Sequence, residues 1–455
     1  MNRESSGLSA ATIDIAALVD GGSWNASRKQ VLFFCSLALI FDGLDNQILG
    51  FAIPSLIAEW KVLRSDFAPA LALGFVGMAV GSPIGGVVGD RFGRKLALIA
   101  SVTFFALATM AIAFASSVNE IVLCRFIAGL GLGGAVPAAM ALTAEYTPMN
   151  RRSVSVIIGI ACIPIGGMIG GLVAAQILPT YGWRALFFVS GLVPLFLAIA
   201  LALLLPESPQ YLLRHGAEPK RMAKSIRMLG ENIPADSVLI DNRNAEAGSN
   251  LLGRLFDIEI RRSTLALWAA FFFCQLPVFM MYGWAPTLLT TSGIGVQGAS
   301  FGLALFNFGG TAGCFAAAWA ISRLGTRAGI LGVTGASIVG TIALATIQIA
   351  PTNQPILLSL LCIQGFFLLG AQGSLYALAT HVYSPSIRST GVGVAASFGR
   401  AGAIASAFAG SGAIGVGGSI FFVSIAVSLL IALIAVASVN LHAPPVTANR
   451  PSSIR

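Results

Sequence analysis

Long apolar blocks leave this chain of 455 residues few ways to fold. Each block runs about 20 to 27 residues, the length a helix needs to cross roughly 30 Å of hydrocarbon. They fall at 31–57, 68–89, 95–115, 119–144, 154–178 and 184–205, then at 263–289, 298–321, 327–350, 354–381, 389–412 and 418–440. With 56% hydrophobic and only 10% charged residues, the chain cannot cover itself with polar surface. Alternating ten-residue strands are absent, so helices rather than a β-barrel must satisfy the backbone. The expected fold is an all-α membrane protein of twelve transmembrane helices in two six-helix bundles. Residues 1–30 form a cytoplasmic N-terminal segment, 31–205 the first bundle, 206–262 a cytoplasmic central loop, 263–440 the second bundle and 441–455 a cytoplasmic tail. Residues 1–30 are polar, and no cleaved signal peptide is read there.

The basic residues set the orientation, because Lys and Arg accumulate on the cytoplasmic side. With both termini cytoplasmic, only Lys61, Arg64 and Arg184 face outward and Arg125 and Arg400 stay inside spans, which leaves 22 of the 27 on the cytoplasmic face. The net charge of +9 therefore reads as topology with anionic lipid as its partner, not as a nucleic-acid surface. Six cysteines scattered singly through six spans, without a CxxC pair or nearby His, read as packing residues and not as metal ligands. An enzyme would need a nucleophile with a base, or clustered ligands, and the only histidines are His215, His381 and His442. No phosphate-binding glycine loop is present for ATP-driven pumping, and no cofactor is expected.

The two halves echo one another. The segment "EYTPMNRRS" at 145–153 recurs as "VYSPSIRST" at 382–390, aligning Tyr146 with Tyr383, Pro148 with Pro385 and Arg151 with Arg388. Likewise "GDRFGRK" at 89–95 recurs as "ISRLGTR" at 321–327, aligning Gly93 with Gly325. The offsets of 237 and 232 residues join the same ordinal loop of each half, as duplication would. Two such bundles around a mid-membrane site can rock and expose it to each side in turn. Stretches such as "GMAVGSPIGGVVGD" and "GLGLGG" supply the small residues that let helices approach.

Four charges lie where a charged side chain is costly. At 1.5 Å per residue, Asp42 and Asp45 lie about 18 and 22 Å from the cytoplasmic end of the first span, Arg125 about 21 Å and Arg400 about 18 Å. All four thus share one level. Asp42 and Asp45, at i and i+3, share a helix face. A carboxyl group subject to desolvation, a like charge and an arginine together can exchange a proton near neutral pH. At least one of the two aspartates is therefore expected to carry the transported proton; the bland alternative for Asp45 is a permanent pair with Arg125 that fixes packing. All 18 acidic residues lie at or before Glu259, so a coupling carboxylate must belong to the first bundle. His381, near the cytoplasmic end of the tenth span, reads as a lining or boundary residue.

The motifs "GDRFGRK", "RFIAGLGLGG" and "PESPQYLL" resemble the major facilitator superfamily. Within it, "FDGLDNQILGFAIP" and "YSPSIRSTGVGVAASFGRAGA" look like the aromatic acid:proton symporter family, whose members import benzoate-type acids. The resemblance covers nearly the whole chain. It implies that Asp42 and Asp45 are needed for transport, and it singles out Asp90, Arg125, Glu145, Arg388 and Arg400. Ser322 stands where a second-half counterpart of Asp90 would be.

Arginine holds a carboxylate by a planar fork. Arg125 and Arg400 are the two anchors available within the spans, with Arg400 favoured because its half has no acid to pair with. Tyr282, Trp284, Phe306 and Tyr376 are candidates for the ring, and Asn46, Gln47, Asn307 and Gln372 for a ring hydroxyl. Asp90 with Arg91 and Arg94, and Glu145 with Arg151 or Arg152, are expected to gate the cytoplasmic face, Asp90 by tying the bundles together. The expected activity is proton-coupled import of an aromatic carboxylate such as 4-hydroxybenzoate or benzoate across a bacterial cytoplasmic membrane, by a chain functional as a monomer. Co-moving a proton removes the penalty of about 2.3 kcal/mol per charge per 100 mV that an anion meets. The alternative is a proton-coupled sugar or polyol carrier of the same superfamily, with a drug exporter as a third reading.

Overall fold

The computed structural model describes residues 12–216, 222, 225–227, 229, 238–240, 253–384 and 387–444. In chain order the elements are β1 (Thr12–Asp14), α1 (Ile15–Gly21), α2 (Ala26–Trp60), α3 (Ala68–Phe92), α4 (Arg94–Ile112), α5 (Val118–Tyr146) and α6 (Met149–Leu204). After α7 (Pro209–Arg214) and β2 (Val238–Ile240) come α8 (Arg261–Thr291), α9 (Val296–Thr346), α10 (Gln354–Val382), α11 (Arg388–Val416) and α12 (Gly418–Ala437). Ten of these helices, among the described residues, are long and apolar enough to cross a membrane.

Polar residues at the helix starts account for several boundaries. Asn25 accepts a hydrogen bond from the Arg28 amide at 2.9 Å and opens α2 five residues before the apolar block begins. Ser117 caps α5, while the Glu120 carboxylate returns to the Ser116 amide at 2.8 Å and the Ser117 hydroxyl at 3.1 Å. The expected break between the fifth and sixth blocks is a single residue, Gly182, at φ 75° inside the 56-residue α6. Gly325, at φ 80°, similarly interrupts the 51-residue α9. A left-handed φ suits glycine and reverses the helix direction without a loop. Gly93, the first-half partner of Gly325 in the sequence echo, separates α3 from α4 at φ 105°. Pro385, the other half of that echo's companion, lies outside the described residues.

Glycine also sets how closely the helices approach. A Cβ at Gly43 or Gly166 would drive into the carbonyls of Ile163 and Ile40, joining α2 to α6. At Gly309, Gly313 and Gly365 it would meet the Cys362, Phe366 and Phe306 carbonyls, joining α9 to α10. Such backbone contact is how helices associate where water cannot drive them together.

The halves α2–α6 and α8–α12 meet through α2 with α8, α3 with α11 and α6 with α9. Contacts between them lie toward the end that carries Trp60 and Ser411: Gln47 with Asn307, Arg64 with Ser411, and Phe75 with Phe279 at 4.6 Å between ring centroids. At the opposite, terminal end lie the first and last described residues, Thr12 and Pro444. There β1 pairs in parallel with β2, and buried Arg28 donates to the Val19 carbonyl at 2.7 Å and the Leu229 carbonyl at 3.0 Å. Ala443 packs on the second half, exchanging hydrogen bonds with Thr326.

Gly365→Ala must push α9 from α10 and is expected to cost about 1–3 kcal/mol as overpacking. Gly332→Ala, where a Cβ meets nothing within 4 Å, is the control. Thermal unfolding in detergent checks the pair, and equal midpoints would refute close approach at Gly365.

Candidate functional site

Of the four charges expected at one level, Asp42, Asp45 and Arg125 are buried around α2 and Arg400 acts on Asp42 from the opposite half, so that they separate into two unlike groups. Asp45 and Arg125 are 1% and 3% exposed. The Arg125 Nη1 donates to Asp45 Oδ2 at 2.8 Å and to the Asp45 carbonyl at 3.2 Å. The Thr109 hydroxyl of α4 donates to the other carboxylate oxygen. Three helices, α2, α4 and α5, thus converge on one carboxylate whose two oxygens both have partners. Arg125 Nε has none.

Asp42 is equally buried but differently held. The Asn46 side chain, one turn along α2, donates to the Asp42 carbonyl at 2.9 Å and to Oδ2 at 3.3 Å. Asp42 Oδ1 and Asn46 Oδ1 have no hydrogen-bond partner. Arg400, from α11 in the opposite half, acts electrostatically on both Asp42 and Tyr376. It is half-buried, and no hydrogen bond or ion pair holds it among the described residues. A carboxylate oxygen without a donor and a guanidinium without an acceptor are the groups that an arriving proton and anion would satisfy.

Several expected contacts are already committed elsewhere. Gln47 and Asn307, chosen for a ring hydroxyl, bind each other reciprocally at 3.1 and 2.8 Å and bridge the halves. Gly167 leaves room for that pair, since a Cβ there would strike both amides. Gln372 donates to Gln275 Oε1 at 2.7 Å, and Trp284 Nε1 to the Ala407 carbonyl at 3.0 Å. Tyr282 packs edge-on against Phe306 at 6.0 Å and Tyr376 against Phe271 at 5.0 Å.

At the terminal end, Asp90 pairs with Arg94 at 2.5 Å across the Gly93 break, and Arg94 Nε lies 3.6 Å from Glu145. Glu145 thus faces Arg94 and not Arg151, which is exposed; the Arg152 side chain lies outside the described residues. Arg91 is exposed, its carbonyl accepting from Tyr211 at 3.2 Å, and Arg388 Nε donates to the Tyr383 carbonyl at 3.4 Å. The Asp90 network stays within the first half, where Glu207 joins it by accepting from the Lys95 amide at 3.0 Å. His381 is exposed at the end of α10.

Thr109 and Gln275 escape sequence reading. A lone hydroxyl in "FFALATMAI" looks like any threonine bonded back to its own helix, and only the helix rotation reveals its partner. Asp45→Asn strands Arg125 in the interior and is expected to destabilise by about 3–5 kcal/mol. Asp42→Asn breaks no ion pair and should cost far less, as paired thermal melts would read out.

The match to known proteins runs over most of this architecture. Residues 35–407 fit the family model of the Major Facilitator Superfamily. The 4-hydroxybenzoate transporter PcaK of Pseudomonas aeruginosa is 31% identical over 89% of this chain and 90% of its own length. The gallate transporter of Pseudomonas putida is 31% identical over 90% of each. Among solved structures, the xylose transporter XylE from E. coli superposes with a TM-score of 0.70 at 16% identity, covering 90% of this chain and 97% of that one. A multi-pass membrane protein with this helix order, these relatives and this fold belongs to the Major Facilitator Superfamily, a family of transporters and not of enzymes.

Proposed function

We propose that this chain is a proton-coupled symporter of an aromatic carboxylate, working by alternating access. The observation that carries it is the buried Asp42 Oδ1, without a donor, within the field of Arg400 from the opposite half, which no hydrogen bond or ion pair holds among the described residues. Gly182 and Gly325 divide α6 and α9 into two spans each, so that ten long helices make twelve crossings. The excess of Lys and Arg at the terminal end makes that end cytoplasmic. Closure at the Trp60 end then corresponds to an inward-facing protein, working as a monomer in the bacterial cytoplasmic membrane.

Each charge has a separate role in this reading. Asp45, fixed by Arg125 and Thr109, orients α2 and supplies a standing negative charge beside Asp42. Asp42 takes the proton, which relieves its unpartnered oxygen. Arg400 grips the acid's carboxylate by its fork, with Tyr376 and the Tyr282–Phe306 pair near the ring. An acid bound to Arg400 cancels the cation that Asp45 leaves unpaired, since Arg125 is already matched, so the loaded, protonated protein crosses with little net charge to desolvate. The similarity to 4-hydroxybenzoate and gallate transporters supports a planar hydroxylated or plain benzoate as cargo. Asp90, Arg94 and Glu145 lock the cytoplasmic end of the first half between strokes, with Arg91 and Arg151 at its rim and Arg388 across from them on the second half.

Uptake by proteoliposomes with labelled 4-hydroxybenzoate, benzoate and xylose tests this. An acid-outside gradient is expected to drive accumulation of the acids alone; concentration of xylose with the acids ignored would falsify the reading. Asp42→Asn should abolish gradient-driven accumulation and retain exchange of external for internal acid, whereas unaltered accumulation removes Asp42 as the proton site. Arg400→Lys keeps the charge and loses the fork, so KM should rise about tenfold, the equivalent of roughly 1.4 kcal/mol; an unchanged KM places the anchor elsewhere.

A further inference from the structure

At the outer end, between the halves, lies a cavity of about 500 Å³ that the transport cycle above does not use. Its size suits a small aromatic ligand. From the first half come Ile57, Val62, Leu63 and Arg64; from the second, Thr287 of α8 and Ser411 of α11. Two features point to an anion. Arg64 Nε donates to the Ser411 carbonyl at 3.3 Å, which anchors the guanidinium and leaves its Nη1–Nη2 edge free of hydrogen bonds and ion pairs among the described residues. Gly415 makes room for it, since a Cβ there would stand 2.7 Å from Nη2.

The second feature is Thr287. It is 1% exposed and lines the same cavity, yet its Oγ1 has no hydrogen-bond partner. Its neighbour Thr291 gives its own hydroxyl back to the Thr287 carbonyl at 2.9 Å, so it does not satisfy that oxygen. A buried hydroxyl without a partner beside an anchored guanidinium is a combination that a carboxylate completes. No opposing acid neutralises Arg64. The carboxylate of Asp66 accepts from the Leu63 amide at 3.1 Å, exposed Lys61 adds positive charge, and the second half supplies no Asp or Glu after Glu259.

We infer that Arg64, Thr287 and Ser411 form an outer vestibular site that holds an aromatic carboxylate before it enters the central site, an inference that rests on the transport reading above. The carboxylate sits end-on against the Nη1–Nη2 edge and accepts from Thr287 Oγ1, with the ring on Ile57, Val62 and Leu63. Because Arg64 belongs to one half and Thr287 to the other, the site is whole only while the outer end is closed. Opening that end separates its members and releases the acid into the widening cleft, toward Arg400.

Equilibrium binding of labelled 4-hydroxybenzoate to the purified full chain in lipid nanodiscs tests this, comparing wild type, Arg400→Ala, Arg400→Ala/Arg64→Gln and Arg400→Ala/Thr287→Val. Thr287→Val keeps the side-chain shape, and thermal unfolding checks that each variant is folded. Arg400→Ala should lose the central component and keep a weaker saturable one, which either second substitution weakens by about tenfold or more. Loss of all saturable binding in Arg400→Ala overturns the vestibular site and leaves the transport reading intact, as do identical curves for Arg400→Ala and both double variants. Wild-type binding that survives Arg400→Ala in full yet falls with Arg64→Gln keeps the vestibular site and removes Arg400 as the central anchor. Absence of binding in wild type overturns both.

Discussion

One buried ion pair organises the first half. A carboxylate in hydrocarbon persists only with a partner of opposite charge and with hydrogen bonds for its remaining lone pairs. Asp45 obtains both from Arg125 and Thr109, so α2, α4 and α5 are held in one rotational setting. That setting decides where Asp42, one turn earlier, points. With Asp45 turned to its own half, Asp42 is left with Asn46 and with the field of Arg400 from the other. The unlike surroundings of two neighbouring aspartates follow from which of them reaches Arg125.

The same economy of contacts separates packing from motion. Within each half, glycine brings backbones into direct contact, as at Gly43 with Ile163 or Gly365 with Phe306, and such interfaces tolerate little displacement. Between the halves, close backbone approach at Gly50 with Tyr282 is joined by polar and aromatic contacts: a reciprocal amide pair, Gln47 with Asn307, an arginine on a carbonyl, Arg64 with Ser411, and an edge-on aromatic pair, Phe75 with Phe279. Hydrogen bonds of this sort exchange for others at modest net cost. Rigid halves whose seam is held in part by exchangeable contacts are what a rocking motion requires.

Much of the fold was legible because the bilayer imposes a length and a polarity on every span. The block edges, the glycine echo of Gly93 with Gly325, and the shared depth of Asp42, Asp45, Arg125 and Arg400 all follow from helix rise and the cost of charge in oil. Two expected loops proved to be single glycines, because a left-handed residue turns the chain more tightly than hydropathy can resolve. The amide side chains were the least legible. Gln47, Asn307 and Gln372 are polar residues in apolar spans, which marks them as bonded without saying to what; their partners sit on helices distant in sequence.

The sequence by itself determined that this chain spans a membrane as helices, that short loop motifs of its halves echo one another, and that any coupling carboxylate lies before Arg261. Those are consequences of composition, spacing and the solvent. Only the tertiary structure decided that Arg125 belongs to Asp45 and leaves Arg400 open, that Glu145 faces Arg94, and that Arg64 meets Ser411 across the seam between the halves. Pairing depends on how each helix is rotated about its axis and which neighbour it leans on. That rotation is set by side chains from several helices at once, and no single stretch of sequence contains it.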